Sequence, residues 1–208
     1  MSWIQARHYG PTWRKSVDLV VIHSTESPRR RGGARSIARW FGGVCICGTR
    51  FTERDVRCQK CKQRVAQPPA ASAHYIVDNA EVIQCVSERN EAWAAPGANP
   101  QGIQIELVGY ARHTAEQWRQ GGLLARTTTL VAAICKRWNI PVELVSSAEL
   151  LAACRGITTH ASVSQAWHRS THWDPGPGFP IGEFLGAVRA ASGMLPLRYS
   201  LNAGGEAA

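Results

Sequence analysis

Four side chains in one short segment near the C-terminus have the types that hold and activate a metal: His160, His168, His172 and Asp174 all fall between residues 156 and 179. Asp174 is followed by Pro175, Gly176, Pro177 and Gly178, so its carboxylate sits on a stiff turn and not on a helix. A catalytic zinc usually takes three protein ligands and keeps its fourth position for water. The segment supplies two or three of these, so a partner comes from elsewhere in the chain. His23 is the candidate: it ends the apolar run 17–22 (VDLVVI) and is followed by Ser24 and Thr25, which puts an imidazole at the rim of a sheet. A single histidine at a strand end is more often a hydrogen-bonded structural residue than a ligand, but four ligand-type residues beside a rigid turn reverse that balance. Spacing alone leaves His160 and His168 as alternatives, and His168 with His172 has the separation that pairs two side chains on one helical face.

The elements that must bring these residues together are legible as patterns. Residues 72–78 and 82–86 are β-rich runs joined by Asn79, Ala80 and Glu81, which reads as a hairpin. In the strand 102–109, Ile103, Ile105 and Leu107 share one face, while Gln104 and Glu106 point the other way. A carboxylate in so apolar a strand either faces solvent or lines a cleft as a general base. Helical spacing marks 34–41 through Ile37, Trp40 and Phe41, and 123–138 through Leu130, Val131, Ile134 and Cys135; Thr114 caps a further helix, and 148–154 and 181–191 complete the set. Residues 92–99 read as a loop, the arginine run 29–31 as a solvated loop, the N-terminus as an irregular arm, and residues after Ser192 as a tail.

One segment interrupts this pattern. Cys45 and Cys47, followed by Gly48, are separated by about ten residues from Cys58 and Cys61. Two such pairs have the logic of a zinc ribbon, in which each forms a tight knuckle and the four thiolates complete a tetrahedron. The first pair has one intervening residue where the common knuckle has two. The segment 45–67 is polar and poor in core residues, so a structural zinc is expected to hold it folded. Its basic residues (Arg50, Arg54, Arg57, Lys60, Lys62, Arg64) fit either a nucleic-acid contact or an offset to thiolate charge.

Composition narrows the functional class. The chain of 208 residues is long enough for one well-packed domain with an insertion, and its formal net charge of +9 implies attraction to a polyanion: nucleic acid, an anionic membrane face or an acidic wall polymer. No apolar run has the length of a signal-peptide core or a membrane span, so the chain is expected to be made as a soluble cytoplasmic protein without stable membrane insertion. The odd count of seven cysteines favours thiols and metal over a disulfide framework.

The stretches VDLVVIHST, SAHYIVD, GIQIELVG and THASVS leading to HWDPGPGFP, in that order, resemble the type 2 N-acetylmuramoyl-L-alanine amidases. These zinc enzymes include phage endolysins, bacterial muropeptide amidases and, more distantly, peptidoglycan recognition proteins. The likeness covers nearly the whole chain except the cysteine segment, which reads as an insertion. It implies a single α/β domain over 1–194, with a central mixed sheet flanked by helices, the zinc-ribbon-like segment 45–67 within it, and a tail over 195–208. It also implies a catalytic zinc on His23, His160 and Asp174, whereas the separate structural zinc on Cys45, Cys47, Cys58 and Cys61 is expected from the cysteine spacing itself. Glu106 takes the place of a strand glutamate that assists catalysis, and His172 that of a cation two residues before the aspartate, where many relatives have lysine. Substrate contacts are expected from Trp93 and Asn99. The implied reaction is hydrolysis of the amide bond between N-acetylmuramic acid and L-alanine in peptidoglycan by a monomeric phage-type endolysin that reaches the wall at lysis, with no nucleic-acid partner. The alternatives are a cytosolic muropeptide-recycling amidase and a non-catalytic peptidoglycan-binding protein. Two positions depart from the pattern: Ala73 stands where phage relatives often have a tyrosine, and Trp93-Ala94-Ala95 where many have Trp-His-Ala.

Overall fold

The computed structural model describes residues 1–193; the tail expected from 195 onward lies outside the described residues. The six strands are β1 (Ser2–Trp3), β2 (Leu19–Ser24), β3 (Tyr75–Val77), β4 (Val82–Gln84), β5 (Gly102–Leu107) and β6 (Gly156–Thr159), and the six helices are α1 (Gly33–Gly42), α2 (Ala115–Arg119), α3 (Leu123–Trp138), α4 (Ser147–Leu151), α5 (His160–Trp167) and α6 (Ile181–Ser192). They form one mixed sheet in the order β1-β4-β3-β5-β2-β6. β2 runs parallel to β5 on one side and to β6 on the other, and all six of its residues are buried. A strand covered on both faces has no solvent side, which is why 17–22 reads as a nearly continuous apolar run and not as an alternation.

The hairpin is present: β3 and β4 pair antiparallel through Tyr75, Ile76 and Val77. The Asp78 carboxylate shapes its turn by accepting the N–H groups of Ala80 and Glu81 at 2.7 and 2.8 Å, while its other oxygen accepts the Ala34 N–H at the start of α1 at 3.1 Å. The N-terminal arm is not wholly irregular, because Ser2 and Trp3 pair in parallel with Ile83 and Gln84 at the sheet edge. Two residues are too few to carry a period-two signal, so no sequence pattern announces them.

The faces of the sheet divide the work. On one, Val20, Ile22, Ile103, Ile105 and Leu107 pack with Ile134 of α3 and Phe184 and Val188 of α6. On the other, α1 sits over Ile76 and Ile83 through Ala34, Ala38 and Phe41, and α5 sits over Leu19 and Val21 through Val163 and Ala166. These two clusters are separate, and the space between them lies over the C-terminal ends of β2 and β5. The polar alternates His23, Gln104 and Glu106 emerge there. Crevices at the carboxyl ends of parallel strands are where open α/β sheets place their sites. Among the described residues no helix is long and apolar enough to cross a membrane.

Candidate active site

Strand register does the first positioning. His23 of β2 lies directly beside Glu106 of β5, so in a parallel pair the imidazole and the carboxylate project to the same side. β6 then delivers His160 as the first residue of α5, where Thr159 caps the helix by accepting the Ser162 N–H at 3.2 Å. Asp174 comes from the Pro-Gly turn. Two glycines let that turn seat closely: a Cβ at Gly176 would lie 1.9 Å from the Ala111 carbonyl oxygen, and one at Gly178 would lie 2.0 Å from that of His113. The Asp174 Oδ2 accepts the Ser24 N–H at 3.0 Å, which ties the turn to the end of β2.

His23, His160 and Asp174 converge as a buried cluster. The His23 and His160 Nδ1 atoms are 3.0 Å apart, His160 Nδ1 is 3.2 Å from Asp174 Oδ1, and His23 Nδ1 is 3.6 Å from Asp174 Oδ2. Ligand atoms on arms of about 2.0–2.1 Å at tetrahedral angles are separated by roughly 3.3 Å, so the triangle has the size that zinc requires. Its chemistry fits as well. The Nε2 of His23 faces Gln104 Oε1 at 2.8 Å and donates to it, which leaves Nδ1 as a lone pair directed into the cluster. Burial, with His160 beside it, pushes His23 down to about 4, so the ring is neutral. Burial by itself would raise the Asp174 carboxyl, but the facing His160 and His23 rings and the Ser24 N–H outweigh it and hold the group at about 2. Three acceptor-type atoms therefore meet with at most one proton, on His160, among them, an arrangement that a cation satisfies.

Glu106 and His172 flank this cluster. The Oε2 of Glu106 is shielded from solvent and has no hydrogen-bond partner among the described residues. Burial, followed by the Asp174 and Glu26 carboxylates, raises Glu106 to about 8; a cation on the triad acts in the opposite sense and favours the charged form. His172 stacks on His160 with ring centroids 4.3 Å apart, keeps its Nδ1 3.4 Å from Asp174 Oδ1, and is largely exposed. Glu106, His160, His172 and Asp174 line a cleft of about 270 Å³, whose walls include Ile37, Trp40, Phe41, Pro69 and Trp93.

Not every expected residue reaches the cleft. His168 closes α5 as its left-handed C-cap and is exposed, so it neither joins the triad nor pairs with His172 on a helix. Asn99 is occupied elsewhere: its Oδ1 accepts the N–H groups of Ala94 and Ala95 at 3.1 and 2.7 Å, so it shapes the loop that presents Trp93 and does not line the cleft. Of the run 29–31, Arg29 is not merely solvated, since it donates to the Gln117 and Gln120 carbonyls and to Asn79 Oδ1. Two participants carried no recognisable signal. Gln104 was visible only as a strand residue sharing a face with Glu106. Glu26 reveals its role only in three dimensions, where Oε1 accepts both the Ser24 hydroxyl and the Ala111 N–H at 2.7 Å, bracing the end of β2 against the segment on which the Pro-Gly turn rests.

The cysteine segment forms a second cluster. Cys45, Cys47, Cys58 and Cys61 gather with all sulfurs within 4.8 Å of one another. Cys45 and Cys61 are 3.4 Å apart and Cys47 and Cys58 3.5 Å, near the edge of about 3.8 Å expected for four sulfurs on 2.3 Å arms. Each cysteine pair forms a knuckle closed by one β-bridge, Val44 with Arg50 and Arg57 with Arg64. The missing residue of the first knuckle is therefore no obstacle: Gly48 and Lys62, each just after the second cysteine of its pair, take the same left-handed conformation. The Thr49 hydroxyl draws Cys47 down to about 6 and the Cys61 N–H lowers Cys58, whereas at Cys61 the Gln63 N–H is outweighed by the Cys45 sulfur and burial, which push the thiol up to about 12. Phe51 is the main apolar residue beneath the cluster, too little for a core by itself.

Residues 13–177 match the family model described as N-acetylmuramoyl-L-alanine amidase. No curated protein matches in sequence. Among solved structures, the fold is similar to a selenomethionine derivative of AmpD (TM-score 0.60, 17% identity, covering 89% of this chain and 93% of that one). It is also similar to the Staphylococcus aureus hydrolase AmiA in complex with its ligand (TM-score 0.61, 13% identity, 92% and 82%). A third likeness is to the amidase LysC of Clostridium intestinale (TM-score 0.52, 13% identity, 93% and 97%). At these identities the structural likeness speaks for the fold.

Proposed function

Because the chain belongs to the N-acetylmuramoyl-L-alanine amidase family, we propose that it is a zinc-dependent endolysin that cuts the bond between the lactyl group of N-acetylmuramic acid and the L-alanine of the stem peptide. The observation that carries this reading is the convergence of His23, His160 and Asp174 at a cleft lined by Glu106, whose Oε2 has no hydrogen-bond partner among the described residues. When bound, zinc polarises the amide carbonyl and activates water. His23 and His160 hold it through Nδ1 and Asp174 through its carboxylate. Glu106 accepts the proton of the attacking water and passes it to the leaving amine. His172, at the open side of the triad, donates an N–H to the carbonyl oxygen as negative charge develops there. Trp93 and Trp40 offer flat apolar walls against which a sugar or peptide stacks.

The endolysin role is supported by the net charge of +9, which suits a polyanionic wall. Purified sacculi treated with the protein should lose turbidity and release stem peptides with a free L-alanine amino group, read by mass analysis. Cleavage confined to soluble muropeptides would replace the endolysin role with recycling. Release of stem peptide from neither sacculi nor soluble muropeptides would remove the amidase reading.

Two zinc ions per chain are expected, with separable roles. Four thiolates make a closed shell with no position for water, so that site holds structure, whereas the triad keeps an open position. Metal analysis of pure protein should approach two zinc per chain, and Cys58→Ser with Cys61→Ser should lower it towards one. That variant should lose thermal stability before activity. Fully active protein with one zinc and four freely reactive cysteines would leave the segment without its metal.

A further inference from the structure

Trp40 lines two hollows. One is the catalytic cleft; the other, of about 230 Å³, lies between α1 and the cysteine segment and includes Arg39, Ile46, Phe51, Arg64 and Val65. The indole is fixed between them, because its Nε1 donates to the Gln67 carbonyl at 2.6 Å where the cysteine segment leaves the ribbon. The same exit continues through Pro69 and Ala71 into the wall of the catalytic cleft. The arginine ion pairs among the described residues use Arg35, Arg119, Arg137, Arg155 and Arg189, so neither Arg39 nor Arg64 has a carboxylate partner. Ile46 is 66% exposed beside them.

Resting on the amidase reading, we propose that this second hollow is a subsite of the same substrate, taking a carboxylate-bearing stretch of stem peptide that lies beyond the scissile amide. Two guanidinium groups bind carboxylates in forked pairs. The apolar surface of Trp40, Ile46 and Val65 in the same hollow suits short aliphatic side chains. A nucleic acid would engage a longer track of cations along its backbone and stack bases on an exposed indole, so its retention is read alongside KM. The insertion thereby extends the cleft and sets how much of the peptide the enzyme reads, while its metal keeps that wall in place.

The test uses the zinc-loaded protein and two substrates: N-acetylmuramoyl-L-alanine, which carries the scissile bond alone, and N-acetylmuramoyl pentapeptide. Arg39→Gln with Arg64→Gln should raise KM for the pentapeptide substrate roughly five- to tenfold, with kcat unchanged, and leave both constants for the short substrate as they were. The single Arg64→Gln, at an exposed position, should raise it about two- to threefold. Lys15→Gln with Lys136→Gln, which removes the same charge elsewhere, should change neither. An unchanged KM for the pentapeptide, an equal rise for both substrates, or the same rise in the lysine control would overturn the subsite. So would loss of nucleic-acid retention in the arginine variant with KM unaffected. A wild-type protein that cleaves neither substrate would instead bring down the amidase reading, and the subsite with it.

Discussion

Asp174→Ala should abolish release of stem peptides, lowering the rate by about three orders of magnitude or more, because Lewis-acid activation is worth several kcal/mol. The loss should reproduce what chelation does to the parent protein, and added zinc should restore the parent only. Asp174 also accepts the Ser24 N–H, and leaving that donor unpaired in a buried position costs about 1–3 kcal/mol. Asp174→Asn separates the two effects, since it retains an acceptor oxygen for Ser24 while removing the charge that holds the metal. It should melt close to the parent protein, bind less zinc, and remain inactive. His168→Ala serves as the matched control, since the ring is exposed at the end of α5; its activity should stay within about twofold, as for surface changes in general. Equal losses for His168→Ala and His160→Ala would mean that the triad had been assigned the wrong histidine.

Glu106→Gln should reduce turnover by about two to four orders of magnitude, the usual worth of a positioned general base, with zinc content unchanged. Glutamine keeps the shape and can still donate and accept hydrogen bonds, but it cannot take a proton from water. The pH profile gives a second readout. Burial raises this carboxyl group, and the base form is the deprotonated one, so the parent rate falls as pH drops through the Glu106 pKa in the loaded enzyme. The glutamine variant should lack that limb and show a flat residual rate over the same range. A near-normal rate would remove Glu106 from the proton transfer.

Much of the architecture follows from residue pattern alone. A nearly continuous apolar run at 17–22, broken only by Asp18, reads as a strand buried on both faces, α3 shows its core stripe through Val131, Ile134 and Cys135, and the alternation in β5 already put Gln104 and Glu106 on one side. Cysteine type and spacing likewise pointed to a four-cysteine cluster, because a polar segment has few other ways to fold. Periodicity reports which face of an element is buried, and it reports nothing about which partner that face meets.

Tertiary structure therefore decided everything that depends on convergence. Spacing left His160 and His168 level, and the resemblance favoured His160; in the fold, His160 begins α5 with its ring turned to β2, while one helix later the left-handed cap carries His168 away. Gln104 became the partner that fixes the His23 tautomer only because β5 lies next to β2, and Asn99 was diverted to a loop by two backbone N–H groups. Trp40, a core-face residue in the helical pattern, turned out to stand between the cleft and the cysteine segment, since α1 is covered by the sheet on one side and by the insertion on another. Each of these outcomes turns on contacts between residues far apart in the chain, whose distances local propensity does not encode and only packing fixes.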